Sequence, residues 1–114
     1  MLNRANEQKK DTLEKLRGGD GIIGRQTLIP TEESCGKFKM CSILTLEPGC
    51  SIGKHGHNPD AEFCYMMEGE MTILDNGTEY TVHPGDAWFC GGGAIHYTKN
   101  NSDKKAVFMA IVVE

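Results

Sequence analysis

His55 and His57 stand two residues apart, and Glu62 follows five residues after the second histidine. On a strand, side chains at i and i+2 leave the same face about 6–7 Å apart at the backbone, so the two imidazoles can grip a single ion. Glu62 has the opposite parity to His57, and a continuous strand would aim it away. Asn58-Pro59-Asp60 is a turn signal that resets the direction, letting a returning strand bring the Glu62 carboxylate to the same point. Alone, the His-x-His pair reads as a polar surface strand before it reads as a metal site.

These residues lie in a chain punctuated by Gly, Pro, Asn and Asp at short intervals from Gly18 onward. The stretches 22–29, 37–46, 53–57, 62–68, 71–75, 79–83, 87–90, 95–100 and 106–113 are short, evenly spaced and mostly β-branched or aromatic, which predicts an all-β sandwich or barrel. Asp75-Asn76-Gly77 tolerates positive φ and predicts a tight hairpin between 71–75 and 79–83. Residues 3–17 differ: they are rich in helix formers, carry Ala5, Leu13 and Leu16 as a thin apolar stripe, and read as a short surface helix broken by Gly18-Gly19-Asp20-Gly21. The division is a helix or arm over 1–20 and a β-barrel domain over 21–114, and 114 residues suffice for one compact core.

Two motifs resemble those of the cupin superfamily. Gly49, His55, His57, Glu62 and Gly69 match G-x5-H-x-H-x4-E-x6-G, and Gly85, Gly93, His96 and Asn100 match G-x5-P-x-G-x2-H-x3-N, with Gly91 where that family usually has proline. The 15 intervening residues, Glu70 to Pro84, suit the compact spacing of small cupins. The resemblance implies a double-stranded β-helix, or jelly roll, in which His55, His57, Glu62 and His96 ligate one divalent transition metal. It also implies that the glycines serve turns, and that Gly91-Gly92-Gly93 leaves the approach to His96 more mobile than a proline would. Three imidazoles and a carboxylate suit Fe, Mn, Co, Ni, Cu or Zn and are too nitrogen-rich for Ca or Mg. Around an octahedral ion they would leave two adjacent positions open.

Other residues divide between packing and chemistry. Phe38, Met40, Ser42 and Leu44 share one strand face and, with Met66, Trp88, Tyr80 and Thr98, point inward by alternation, as barrel core and pocket wall. Cys64 and Cys90 read as buried small hydrophobes, with a thiol near the metal as the minority alternative. His83 reads as a solvated histidine. Arg25 could reach in to bind a carboxylate or phosphate, though an exposed arginine is the commoner outcome.

A net charge of −4 and a pI near 5.5, with both signs interspersed, offer no basic face to nucleic acid or anionic lipid. No apolar run approaches a membrane span, and MLNRANEQKK has no apolar signal region, so a cytoplasmic protein is expected. Five cysteines without a C-x-x-C pair argue for reduced thiols and against a zinc knuckle. The expected partners are a small-molecule ligand and, through the face bearing Cys41 and Ile43, a second copy of the chain as homodimer. Two functions fit: a metal-dependent enzyme acting on a sugar or organic acid by isomerase, lyase, decarboxylase or dioxygenase chemistry, or a non-catalytic binding or sensing protein. The open coordination positions favour the enzyme, while the lack of any inward Asp, Glu or Lys besides Glu62 leaves catalysis to the ion.

Overall fold

The computed structural model describes all 114 residues. Ten strands form two antiparallel sheets packed as a jelly roll. The larger sheet runs in the order β1 (Lys10–Glu14), β2 (Ile22–Thr27), β3 (Phe38–Leu46), β10 (Ala106–Val113), β5 (Ala61–Glu68) and β8 (Ala87–Cys90); the smaller runs β4 (Ser51–Gly56), β9 (Ile95–Lys99), β6 (Met71–Asp75) and β7 (Thr78–Val82).

β10 shows how the sequence drives this. Ala106, Phe108, Ala110 and Val112 are buried and alternate with half-buried Val107, Met109, Ile111 and Val113, as a strand with one face on the core requires. Phe108 meets Leu44 and Met66 by register and lies 5.7 Å from the Trp88 ring. Ile52, Met71, Ile73 and Val82 close the core from the smaller sheet. The β6–β7 hairpin turns on Asn76 (φ 46°) and Gly77 (φ 92°), the left-handed pair that a two-residue turn demands.

The N-terminal segment overturns the expected helix. It contains only one-turn 3-10 segments at Ala5–Glu7 and Leu16–Gly18, with β1 between them. Register explains the outcome: Leu13 lies opposite Ile23 and Asp11 opposite Arg25, so pairing with β2 satisfies the strand's amides while Leu13 and Leu16, partly buried, pack against the core and Ala5 stays exposed. A surface helix would have buried the same two leucines without the Asp11–Arg25 ion pair, in which Nη2 approaches Oδ2 to 2.6 Å and Nε donates to Oδ1 at 2.9 Å.

Two further expectations fail. Tyr80 lies opposite Ile73 on the inward side, but β7 is an edge strand and the phenol is 52% exposed. Cys41 lies on the far side of β3, yet it is buried: the chain after β2 folds back, and the Leu28 and Ile29 amides donate to the Cys41 carbonyl.

Candidate functional site

β4 carries His55, and its pairing with β9 slips between Ile52 and His55: Ile52 faces Thr98, whereas His55 faces His96. The slip inserts one extra residue at Gly53-Lys54, so Ile52 and His55 both face inward although their separation is odd. His57 lies just past the end of β4, and the turn through Pro59 returns the chain into β5, whose second residue is Glu62. His57, Glu62 and His96 are buried and His55 half-buried.

The four residues offer one ligand atom each, all within 4.8 Å of one another. Hydrogen-bond partners orient the first two imidazoles. His55 Nδ1–H donates to the Gly53 carbonyl at 2.8 Å and His57 Nδ1–H to Asp60 Oδ1 at 3.1 Å, which turns each Nε2 lone pair toward the common centre. Gly93 N–H donates to the His57 carbonyl at 2.9 Å, tying the turn before His96 to the same residue. His96 Nε2 lies 2.7 Å from His55 Nε2 and 3.1 Å from Glu62 Oε1. Burial pushes the His55 imidazole below its ordinary pKa, against the opposing pull of the Gly53 carbonyl, so its neutral, ligand-competent form is favoured.

The donor set fits a divalent transition metal on two observations. His57 Nε2 is buried without a hydrogen-bond partner, and two imidazole Nε2 atoms press together at 2.7 Å, an approach that a shared proton or cation relieves. The mixed nitrogen and oxygen donors match such an ion.

The cluster opens into a cavity of about 280 Å³. Met40, Leu44 and Thr98 line it as expected of an inward wall, and Ile52, Phe108 and Val112 complete that wall; Met66 and Trp88 do not reach it. Cys64 lines it as well, buried, with its thiol pKa pushed well up by desolvation, so it behaves as an apolar group; Cys90 is buried with its Sγ donating to the Ala94 carbonyl. All five cysteines are unpaired. His83 is exposed beside Glu70, away from the cluster. Arg25 lines the cavity but its guanidinium is engaged by Asp11.

Besides Ile52, Phe108 and Val112, five further lining residues lie outside the expected set: Leu13, Leu16, Arg17, Lys39 and Asp60. Asp60 corrects the expectation that Glu62 is the lone inward acid, and its offset of three from His57 is the signal that could have found it. Lys39 escapes alternation because the β3–β10 register slips there: Val112 faces Met40 and Val113 faces Phe38, leaving Lys39 as the extra residue of a bulge. Its Nζ lies 2.9 Å from Asp60 Oδ2 and, as the strongest influence, holds that carboxyl below its ordinary pKa. His57, Asp60 and Lys39 thus form one hydrogen-bonded chain.

Comparison with known proteins agrees with this architecture. The oxalate-binding protein of Thermotoga maritima is 28% identical over 113 residues, covering 99% of this chain and 93% of that protein. A crystal structure from T. maritima, described as a predicted oxalate decarboxylase, superposes with a TM-score of 0.92 at 28% identity, over 99% of this chain and 98% of that one. The polyketide cyclase RemF of Streptomyces resistomycificus superposes with a TM-score of 0.79 at 23% identity, over 99% and 80% of the two chains, and shares the fold alone. The family model described as "Cupin domain" matches residues 42–112, from within β3 almost to the end of β10. That match spans well over half of the chain, which therefore belongs to the cupin family.

Proposed function

We propose that the protein holds one divalent transition-metal ion on His55, His57, Glu62 and His96 and uses it to capture a small organic acid in the adjoining cavity. The observation that carries this reading is the convergence of four donor atoms at the wall of a partly open, largely apolar cavity. A bound ion would supply a Lewis acid with open positions for a chelating carboxylate, carbonyl or hydroxyl pair. The protein's own residues do the rest. Gly53 and Asp60 fix which nitrogen of the His55 and His57 imidazoles faces inward. Leu44, Ile52 and Phe108 exclude water, which strengthens the attraction for an anion. The name of the T. maritima relative, an oxalate-binding protein, supports an acid of that size.

Turnover of the acid is the second reading, and the neighbour described as a predicted oxalate decarboxylase favours it. Against it stands the engagement of Asp60 and Lys39 with each other, which leaves no free general acid or base beside Glu62. Titrating metal-loaded and metal-free protein with oxalate, and assaying the mixture for turnover, tests both. Binding that vanishes with the metal and in the His57→Ala/Glu62→Ala variant supports the proposal; equal binding to both forms overturns it, and product formation moves the protein into the enzyme class.

We further propose a homodimer through the outer face of the larger sheet, where Phe63 faces Phe89 across β5 and β8 and both are exposed, at 37% and 60%, with Tyr65 beside them at 40%. Light scattering should give twice the 12.5 kDa chain mass; the single mass at all concentrations would refute it.

A further inference from the structure

The charges around the cavity are unevenly committed. Three cations line it: Arg25 is held by Asp11, Lys39 by Asp60, and Arg17 has no carboxylate within salt-bridge reach and no side-chain hydrogen bond. Asp11, Asp60 and Glu62 balance the three cations, so the two charges of a divalent ion would be left for the ligand to neutralise.

Arg17 is also held where it stands. Its φ of 55° and ψ of 29° lie in the left-handed region, as does the φ of 48° at Lys15, a conformation that side-chain-bearing residues adopt at a cost. Three contacts impose it. Leu16, between the two, packs against the core, and the Lys15 amide donates to the Gly21 carbonyl at 3.0 Å. The third is the closest: a methyl group on Gly53 would overlap the Arg17 carbonyl, and one on Gly19 would overlap that of Ser51, so this turn lies flat on β4 with backbone against backbone. Gly53 is the same residue whose carbonyl orients His55. One glycine therefore registers the backbone that carries the unpaired Arg17 side chain against the donor cluster.

We propose that Arg17 is the specificity-determining residue of the cavity, selecting small dianionic dicarboxylates over monoanionic chelators of the same size. The inference rests on the metal-dependent binding proposed above. A guanidinium presents paired donors matched to a carboxylate, so the second negative charge of a dicarboxylate gains a partner that a hydroxy acid leaves unused. Being at an exposed rim, the contact is partly screened, and the expected effect is about tenfold.

The test compares oxalate with glycolate, a monoanion on the same two-carbon skeleton, by calorimetric titration of Mn(II)-loaded wild type, Arg17→Gln and Arg17→Lys. Wild type should prefer oxalate; Arg17→Gln should lose about tenfold in oxalate affinity and less than about threefold for glycolate, with Mn(II) affinity and melting temperature unchanged. Arg17→Lys should recover part of the preference, and added salt should weaken oxalate binding more in wild type than in Arg17→Gln. An oxalate-to-glycolate ratio equal in wild type and Arg17→Gln overturns the role of Arg17 while leaving metal-dependent capture intact. Wild type that binds neither acid with Mn(II) in place overturns both.

Discussion

The cavity has two walls built in different ways. On one, β4, β5 and β9 bring four side chains to a point, and the His55 and His57 imidazoles are each aimed by a hydrogen bond to a neighbour two or three residues away. On the other, Lys10–Glu14 and Leu16–Gly18 add a strand and a turn whose place is set by backbone pairing with β2 and backbone contact with β4. The first wall depends on which side chains are present, the second on where side chains are absent. Gly53 belongs to both, since it orients His55 and gives the Arg17 turn its seat.

Substituting that shared residue should produce the largest effect. Gly53→Ala puts a methyl group into the Arg17 carbonyl, and backbone cannot rotate aside as a side chain can. The expected cost is about 3 kcal/mol, at the upper end for overpacking, and at roughly 4 °C per kcal/mol the melting temperature should fall by about 12 °C. Metal affinity, measured by chelator competition, should fall as well, because the His55 partner moves. Loss of stability with unchanged metal affinity would break the link between the walls.

Asp60→Asn should act on the donor wall alone. Asn still accepts the His57 Nδ1–H, but the negative charge that strengthens that bond and engages Lys39 is gone. Outer carboxylates of this kind are typically worth about 10–100-fold in metal affinity. A loss in that range with an unchanged fold is expected; full affinity in Asp60→Asn would reduce Asp60 to a surface residue.

The two walls also differ in how far the sequence reveals them. The clustering of His55, His57, Glu62 and His96 was legible because glycines, histidines and a glutamate recur at fixed offsets within residues 49–100, and strand alternation placed Leu44, Met66 and Thr98 on the buried side. Three features broke the alternation. Bulges at Lys39 and at Gly53-Lys54 change which side a residue faces without any local pattern to announce it. Edge position left Tyr80 exposed despite its correct face. The N-terminal wall reads as helix because Glu, Lys, Gln and Leu favour one, and the partner that outweighs propensity, β2, lies beyond the glycine cluster that reads as the end of the element. Arg17 was invisible for the same reason: its carbonyl lies against Gly53, and nothing near it in the chain says so.

The smallest expected effect asks whether charge or backbone holds the second wall. Asp11 and Arg25 face each other across β1 and β2 with side chains 28% and 29% exposed, so water and salt screen much of their attraction. The Arg25 hydrogen bond holds the Asp11 carboxyl below its ordinary value of 3.8. A carboxyl whose native pKa is depressed stabilises the fold above that ordinary value, and the contribution is lost as pH falls through the native pKa and the folded state takes up its proton. Denaturant midpoints for wild type and Asp11→Asn should therefore differ slightly at pH 7, converge as pH drops below 3.8, and differ less in high salt. A difference that persists unchanged through that range would mean the variant disturbs packing rather than charge. If Asp11→Asn instead proves as damaging as Gly53→Ala, the ion pair is what holds β1 in place, and the division between a wall aimed by side chains and one seated by backbone no longer describes the cavity.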